Sequence, residues 1–514
     1  MNGWTVEETL STDVLVAGGG FAGMHAAWAA SRAGAATLLV SGGKIGGSGA
    51  SAVSMSVHRF APGHPKARRE HFLHMTEAGW DLNDPRLVEE LVARAEIIPD
   101  HLANFVSDLD IKTINLDGRD YPYFAASPRK RGAALGRPIR KHLEEMNGLT
   151  LLEGWSICHL EEENHGWQVW FMRDRALKPV RAKSLVLATG GYPGIFAHSS
   201  GTADLVGDGL ALAMEAGLTV MDMEMVQFYP YRIRTPRVCD IFPDIFSQGA
   251  EFLNENGRRF MEDFPGKELE NRDVLAREIY KQGGAILDLS RCDPDFLRTE
   301  TPRLHKLKED FPDVPLRVYP LTHFSMGGIR IDAHGRTGRP GILACGEIAA
   351  GVHGANRLAG HALSETLVFG LNAGKAAAEY ALGVLEHQPG PDLKTPPAVL
   401  PELGEDDPGS EISAVKDLLW HQVGLIRTED GLTGALARVE ERIHRLPEIK
   451  PARPRTWLTL KSALTVAEVV INSAILRRES RGAHFRSDYP GEDSTQRGNY
   501  YYRDGQYLFA NTAK

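Results

Sequence analysis

Three glycines near the start of the chain have the spacing of a phosphate-binding turn. Gly18, Gly20 and Gly23 follow an apolar run at residues 13–17 and lead into a run of small residues at 24–32. In such a turn the first glycine allows the tight bend, the second lets a pyrophosphate approach the backbone, and the third lets the helix pack on the strand. The helix N-terminus adds N–H donors and a positive dipole. The pattern predicts a βαβ unit that binds a dinucleotide.

A second run of glycine and hydroxyl residues follows the next strand. The strand at residues 36–40 ends in Ser41, where an NAD-binding unit normally carries an acidic residue for the ribose. Residues 42–51, which include Gly47 and Ser48, can again press backbone amides against a ligand. Two glycine loops on one sheet indicate a long cofactor.

Two further apolar strands end in glycine and polar residues. The first leads into Thr189 and Gly190, and the second, about 150 residues later, leads into Gly346 and Glu347. Parallel strands of one sheet face a ligand crevice at their C-terminal ends. The distance between the two strands along the chain predicts a dinucleotide-binding domain that is interrupted by an inserted segment.

The last part of the chain has a different pattern. Six prolines and several acidic residues between positions 388 and 409 are typical of a linker that does not pack. Beyond this segment, apolar residues recur at helical spacing from Trp457 to Ile475. The tail is therefore predicted to be a helical domain.

Composition limits the classes of function. A chain of 514 residues has room for roughly three domains, and a net charge of −9 argues against a dedicated nucleic-acid binder. The four cysteines are widely separated, so the sequence predicts no metal or cluster site and redox chemistry would need an organic cofactor. The N-terminus lacks the pattern of a signal peptide, and no 18-residue apolar run stands out. These features predict a cytoplasmic protein, either soluble or attached to a membrane through a partner.

Motifs along almost the whole chain resemble the succinate dehydrogenase, fumarate reductase and L-aspartate oxidase flavoprotein family, most closely a fumarate reductase-type flavoprotein subunit. They lie at residues 18–23, 188–191, 206–209, 222–228, 254–261, 272–274, 322–329, 346–347, 352–358, 479–484 and 488–490. The resemblance implies an α/β fold in which a Rossmann-like FAD-binding domain is interrupted by an α+β capping domain and followed by a C-terminal helical domain. The expected bounds are 1–228 and 324–388 for the FAD-binding domain, 229–323 for the capping domain, 389–409 for the linker and 410–514 for the helical domain.

The resemblance also implies roles for single residues. The arginine that shuttles a proton in this family matches Arg272, and the histidine and arginine that hold the substrate match His323 and Arg357. The fork of an arginine suits a carboxylate, and cations stabilise enolate-like charge as a hydride arrives. Glu347 matches the acid that accepts bonds from flavin ribityl or ribose hydroxyls. The other positions expected to contact FAD are Gly18, Gly20, Gly23, Ser41, Gly47, Ser48, Thr189, Gly190, Asp208, Ala362 and Leu363.

Three positions depart from the family pattern. Gly49 stands where the membrane-bound members carry the histidine that is covalently linked to FAD, which predicts noncovalent FAD. Tyr229 replaces the histidine that contacts the distal carboxylate of the substrate, and it carries no charge near neutral pH. The segment that supplies a proton relay in the family is replaced around residues 242–244, with Arg232, Arg234 and Arg237 nearby. These departures favour a carboxylate substrate whose distal end differs from that of succinate or fumarate.

The resemblance implies an FAD-dependent oxidoreductase that acts on CH–CH bonds. Hydride would pass between flavin N5 and a dicarboxylate-like substrate, with Arg272 transferring the proton and an iron–sulfur subunit exchanging the electrons, since this chain has no cluster motif. Two alternatives stay open. One is an L-aspartate oxidase, and the other is a flavin electron-transfer subunit of a larger redox complex.

Overall fold

The main sheet holds the predicted glycine turns at its C-terminal edge. The computed structural model of the protein describes residues 3–61, 63–114, 123–127, 132–163, 166–241, 243–383, 393 and 395–511. The sheet runs in the order Leu149–Glu153, Thr37–Ser41, Leu10–Ala17, Ala176–Leu187, Gly166–Arg173 and Ser156–Glu163, with Thr5–Val6 and Ile342–Ala344 also paired to Ala176–Leu187. The strands on either side of Leu10–Ala17 are parallel to it. Gly166–Arg173 is antiparallel to both of its neighbours, Ala176–Leu187 and Ser156–Glu163. Both predicted glycine-terminated strands thus belong to one parallel set.

Two helices cover this sheet and pack unusually close to each other. They are Phe21–Arg32 and His361–Gly383. A Cβ placed on Gly374 would lie 2.1 Å from the carbonyl oxygen of Ala26, so only glycine fits there. The remaining helices before residue 220 are Gly49–Val53, Pro65–Ala78, Pro85–Arg94, Ile98–Ala103, Gly132–Glu144 and Asp208–Glu215.

A second hydrophobic core lies between Tyr231 and Val318. Its sheet contains the strands Cys239–Asp240, Arg232–Thr235, Arg317–Val318, Ala285–Asp288 and Glu251–Leu253, and its helices are Arg272–Lys281, Pro294–Glu300 and Pro302–Asp310. The strand pair Val226–Tyr229 and Leu321–Ser325 leads into and out of this region. A separate small sheet contains the strands His58–Phe60, Tyr123–Ser127 and Asp110–Ile114.

The C-terminal part contains three helices and then a hairpin. The helices are Gly409–Gln422, Glu429–Arg445 and Pro454–Leu476. The hairpin of Gly498–Arg503 and Gln506–Asn511 pairs with Val220–Met221, which continues to Gly328–Arg330 and Ala349–Ala350. The sequence analysis did not predict this hairpin, although Asp504 and Gly505, both with positive φ, form the two-residue turn between its strands.

Buried ion pairs fix this C-terminal segment to the first half of the chain. The guanidinium of Arg477, which has no exposed surface, lies 2.6 Å from Glu224 and 3.1 Å from Glu479. Arg481 pairs with the same Glu479 at 2.8 Å. Loss of one partner from such a network leaves an unpaired buried charge, which typically costs about 3–5 kcal/mol. The family-like motif at 479–484 is therefore placed in a structural contact.

The helix Pro454–Leu476 corrects the expectation that no apolar window reaches membrane-span length. Its most apolar 18-residue window has a mean hydropathy of 1.4, which is enough by length and composition to cross a membrane. However, 67% of that window is buried inside the protein. It packs against Asp208–Glu215 and the two helices before it, as a core helix of a soluble protein does. By itself it is weak evidence for a membrane span.

The proline-rich segment packs more than its composition predicts. In its described part, Leu400 is buried and the carbonyl of Pro401 accepts a hydrogen bond from the indole of Trp4 at 3.1 Å. The backbone N–H of Leu393 donates to Thr9. Isolated apolar side chains and free carbonyls thus attach the segment to the N-terminus, although prolines exclude regular structure.

Candidate functional site

One long cavity joins the C-terminal edge of the main sheet to the region of the second core. Its volume is about 700 Å³. Of the sixteen residues predicted for the site, fourteen line it, namely Gly18, Gly20, Ser41, Ser48, Thr189, Gly190, Asp208, Tyr229, Arg272, His323, Glu347, Arg357, Ala362 and Leu363. Gly23 and Gly47 do not line it. The structure therefore brings together residues that are up to 345 positions apart in the sequence.

Backbone atoms form one end of the cavity. Gly18 has a φ of +122°, and a Cβ there would lie 2.2 Å from the carbonyl oxygen of Ala188. A Cβ on Gly23 would lie 1.8 Å from the carbonyl oxygen of Gly18, which is the close helix packing expected of the third glycine. The helix that begins at Phe21 has no side-chain cap on Gly20, so its dipole and N-terminal amides favour an anion here.

The middle of the cavity carries polar groups suited to hydroxyl ligands. The buried Oγ1 of Thr189 has no hydrogen-bond partner. One oxygen of Glu347 accepts hydrogen bonds from the backbone N–H of Ser325 at 3.1 Å and from its hydroxyl at 3.3 Å. Burial raises the pKa of Glu347 to about 7, although the bonds from Ser325 oppose this shift. When this carboxyl is ionised, it can accept further hydrogen bonds.

Asp208 is held at the edge of the same cavity by an ion pair. Its Oδ2 lies 2.5 Å from Nη1 of Arg455. Burial raises the pKa of the Asp208 carboxyl, and Arg455 opposes that shift. The pair connects the predicted cofactor site to the start of the helix Pro454–Leu476.

The opposite end of the cavity is built from side chains. His323 comes from the strand Leu321–Ser325, and its Nδ1 forms a hydrogen bond of 2.7 Å with the hydroxyl of Ser200. Burial, together with the nearby charges of Arg357 and Arg272, holds the pKa of His323 well below its ordinary value. The imidazole is therefore neutral at physiological pH. Its Nε2 has no hydrogen-bond partner in the described part of the chain.

Two guanidinium groups, those of Arg357 and Arg272, line this end of the cavity. Arg357 donates to the side-chain oxygen of Gln227 at 3.0 Å and to the carbonyl of Leu358 at 3.2 Å, and its Nε is buried without a partner. Burial and repulsion from Arg272 lower the pKa of Arg357 to about 9. Arg272 begins the helix Arg272–Lys281. Within the described residues neither guanidinium forms an ion pair, so the cavity has a site for an anion.

Tyr229 lies between the two groups predicted to act with it. Its ring stacks on His323 with a centroid distance of 4.7 Å, and the Arg272 guanidinium lies 5.6 Å from its centroid. The hydroxyl donates a long hydrogen bond of 3.4 Å to the carbonyl of Ile241. Burial raises the pKa of Tyr229 to about 12, so the phenol is neutral. Tyr229 both packs against neighbouring rings and lines the cavity.

Several residues of this end were not predicted from the sequence. Ser200, Tyr231 and Asp240 line the cavity, and Arg232, which was noted only as nearby, lines it as well. Arg234 and Arg237 point elsewhere, the latter pairing with Asp310. A usable signal was the pair of opposite charges at 232 and 240 on either side of a proline, which fits a hairpin. The replaced segment at 242–244 is described only from residue 243, and Asp244 lines the cavity; position 242 lies outside the described residues.

Comparisons with known proteins agree with this geometry. Residues 13–363 match the FAD binding domain family, and residues 413–508 match the fumarate reductase flavoprotein C-terminal family. The chain is 30% identical to one subunit of the fumarate reductase (CoM/CoB) of Methanothermobacter marburgensis, over 94% of this chain and 95% of that protein. It is also 30% identical to an L-aspartate oxidase of Agrobacterium fabrum, over 93% and 92% of the two chains. A variant of the E. coli quinol fumarate reductase FrdA has the same fold, with a TM-score of 0.86, 21% identity, and coverage of 98% of this chain and 97% of that one.

These matches define a flavoprotein oxidoreductase with an FAD-binding domain and a C-terminal helical domain. The chain belongs to the fumarate reductase and succinate dehydrogenase flavoprotein family, to which L-aspartate oxidases are also related.

The residues of the cavity fit FAD. This cofactor has a pyrophosphate, which suits the uncapped helix at Gly20, and several hydroxyls, which suit the unpartnered Thr189 and the Glu347 carboxylate. The glycine walls leave the backbone open to the ligand. The chain is thus an FAD-dependent enzyme by family, and the polar groups that line its cavity fit this cofactor.

Proposed function

We propose that this end of the cavity binds the carboxylate of an unsaturated acid, and that the protein reduces its C=C bond or performs the reverse oxidation. The observation that carries the proposal is that Arg357 and Arg272 both line the cavity beside a neutral His323 and that neither forms an ion pair with a described residue. A carboxylate bound there would relieve the repulsion between the guanidinium groups and accept their N–H donors. The same donors would stabilise enolate-like charge on the carboxylate oxygens during reduction.

The chain's own groups divide the work in this proposal. Arg357 binds the carboxylate, and the free Nε2 of His323 adds a hydrogen bond without adding charge. Arg272 delivers the proton to one alkene carbon, and the aromatic faces of Tyr229 and Tyr231 hold its guanidinium in place. Bound FAD supplies the hydride for the other alkene carbon.

We further propose that FAD is bound noncovalently. Gly49 has no side chain to form a link, and its φ of +70° suits glycine. Acid precipitation of the purified protein should release all yellow colour into the supernatant. Colour that stays in the washed pellet would contradict the proposal.

An iron–sulfur partner protein is the electron carrier that we propose. Three of the four cysteines, Cys158, Cys292 and Cys345, are buried, and none of the described cysteines forms a disulfide. The described residues contain no group of three or more His, Cys, Asp or Glu that could hold a metal ion. Relatives include a protein named as one subunit of a fumarate reductase. Attachment to such a partner would place the protein in the cytoplasm or at a membrane surface.

The test of the proposed function is oxidation of the reduced protein by unsaturated acids. Protein reduced with dithionite under argon is mixed with fumarate, with trans-unsaturated monocarboxylates, and with crotonamide, which has no carboxylate. Recovery of the flavin absorbance with the acids but not with the amide is the expected result. No oxidation by any acid would overturn the proposal.

L-aspartate oxidase is the second candidate, because full-length relatives carry that name. Its signature is aspartate-dependent formation of hydrogen peroxide in air by the oxidised protein. We expect none, because the neutral phenol of Tyr229 lines the cavity where the family pattern has the histidine that contacts a distal carboxylate, and aspartate is a dicarboxylate. Peroxide formation with aspartate would reverse the order of the two candidates.

A further inference from the structure

An ion pair inside the cavity has no role in the function proposed above. Arg232 and Asp240 are register partners in the hairpin of Arg232–Thr235 and Cys239–Asp240. Nε of Arg232 lies 2.6 Å from Oδ1 of Asp240, and both side chains line the cavity. The side chains keep 20% and 14% of their surface exposed, so a ligand in the cavity can reach them.

The two sides of the substrate end differ in charge. Arg357 and Arg272 have no carboxylate partner among the residues that the structure describes, whereas the charge of Arg232 is balanced by Asp240. A substrate with one carboxylate at Arg357 would bring its far end toward this pair, whose two charges cancel. A second carboxylate there would meet the negative charge of Asp240, which disfavours a dianion such as fumarate.

The pair still offers both kinds of hydrogen bond. Arg232 uses Nε for Asp240 and Nη1 for the carbonyl of Ser200 at 3.4 Å, which leaves the Nη2 donors for a ligand. A carboxylate has about four acceptor sites, so Asp240 can accept a ligand N–H in addition to the contacts that it makes within the protein. Tyr229 and Tyr231 close this part of the cavity with apolar ring surface.

We propose that Arg232 and Asp240 recognise an uncharged carboxamide at the far end of the substrate. The amide oxygen accepts from Arg232, and the amide N–H donates to Asp240. An ester has only the acceptor, an ammonium group is repelled by Arg232, and a carboxylate is repelled by Asp240. The substrate class is therefore an unsaturated carboxylate whose other end is an amide. This inference rests on the proposed function, because it assumes a carboxylate at Arg357.

The test compares three trans-alkenes that differ only at one end. They are fumarate, its monoamide fumaramate, and monomethyl fumarate, and each has at least one free carboxylate for Arg357. Dissociation constants come from the shift in the visible flavin spectrum of the oxidised holoprotein, and rates from oxidation of the reduced protein. Fumaramate should bind at least about tenfold more tightly than fumarate, and more tightly than the ester.

The variant Asp240→Asn should reverse the preference between fumarate and fumaramate. Removal of the negative charge leaves Arg232 free to pair with a second carboxylate, so the ratio of the two dissociation constants should shift by about tenfold or more toward fumarate. The matched control is Asp310→Asn, which breaks the exposed pair with Arg237 outside the cavity and should leave the ratio unchanged. Flavin content confirms that each variant is folded.

Each result has a defined meaning. Tighter binding of fumarate than of fumaramate to the wild-type protein would overturn the amide inference, and this comparison does not depend on any variant folding. An unchanged ratio in folded Asp240→Asn would also overturn it. If none of the three acids binds or oxidises the protein, the proposed function fails and the inference fails with it. If fumarate is active but not disfavoured, only the inference fails.

Discussion

The two ends of the cavity are built in different ways. At the cofactor end, backbone atoms of Gly18 and Gly20 and the start of one helix form the wall within a single stretch of chain. At the substrate end, Arg272, His323 and Arg357 come from three separate segments, and only the fold brings them together. Ligand binding at the cofactor end depends on glycines that leave the backbone open, while ligand binding at the substrate end depends on charged side chains.

This difference determines how each end should respond to mutation. A glycine wall fails when a Cβ occupies space that the backbone or the cofactor needs, so its defects are defects of binding. A charged wall fails when one group is removed, so its defects are defects of turnover with the cofactor still in place. Mutations that separate FAD content from activity therefore test the comparison directly.

The largest expected effect is on turnover in the variant Arg272→Ala. Loss of one proton-transfer group typically lowers the rate by about 100-fold to 10,000-fold. The FAD content should stay at the wild-type value, because Arg272 lies at the substrate end. Rates of oxidation of the reduced protein by an active unsaturated acid provide the measurement.

The control for this variant is Arg237→Ala, which removes an arginine of the same region that pairs with Asp310 on the surface. It should keep wild-type activity. Activity of Arg272→Ala within a few-fold of wild type would remove Arg272 from the mechanism and weaken the division between the two ends.

A smaller effect is expected at the cofactor end in the variant Gly18→Ala. The new Cβ would lie 2.2 Å from the carbonyl oxygen of Ala188, so the turn must shift. We expect the affinity for FAD to fall by about tenfold or more, since about 1.4 kcal/mol of strain has that effect. The flavin-to-protein absorbance ratio and a titration of the apoprotein with FAD measure it.

Gly34→Ala is the matched control for backbone strain. Gly34 also has a positive φ, +92°, and lies in the same βαβ unit, but a Cβ there would meet nothing within 4 Å. Equal loss of FAD in both variants would mean that general strain, and not the close approach at Gly18, limits cofactor binding.

The same contrast explains what the sequence could predict. The glycine turn could be predicted because its sequence signal is local, with Gly18, Gly20 and Gly23 lying within six residues. Arg272, His323 and Arg357 were found only through resemblance to a family, since no spacing in the sequence shows that they meet. Arg232 was noted only as nearby and Asp240 was not singled out, although their opposite charges on either side of Pro236 fit a hairpin. The C-terminal hairpin at Gly498–Asn511 was missed although its two-residue turn, Asp504 and Gly505, is a local hairpin signal.

Glu347 should make FAD binding depend on pH, and the expected size of this effect lies between those at Arg272 and Tyr229. Burial raises the pKa of this carboxyl to about 7 in the free protein, and hydroxyl donors of bound FAD would lower it. Below pH 7 the carboxyl is protonated and must lose its proton on binding, which weakens FAD binding; above pH 7 this cost disappears. The affinity should therefore rise about tenfold from pH 6 to pH 8.

Glu347→Gln should abolish this pH dependence, because the amide does not titrate in this range. Titrations of the apoproteins with FAD at pH 6, 7 and 8 provide the comparison. An equal rise in affinity for the wild-type protein and the variant would place the titrating group elsewhere and would leave Glu347 without contact to the cofactor.

The smallest effect is expected at Tyr229, which both packs against neighbouring rings and lines the cavity. In the wild-type protein its hydroxyl donates to the carbonyl of Ile241 and its ring stacks on His323. The variant Tyr229→His restores the imidazole of the family pattern. A hydrogen bond of this kind contributes about 0.5–1.5 kcal/mol, so the preference for fumarate should rise by no more than about tenfold. The measurement is the ratio of inhibition constants for fumarate and monomethyl fumarate in the two proteins.

An unchanged ratio would assign Tyr229 to packing alone, since its ring also contacts Arg272 at 5.6 Å. A rise well beyond tenfold would instead mean that Tyr229, and not the Arg232–Asp240 pair, decides which group the far end of the cavity accepts.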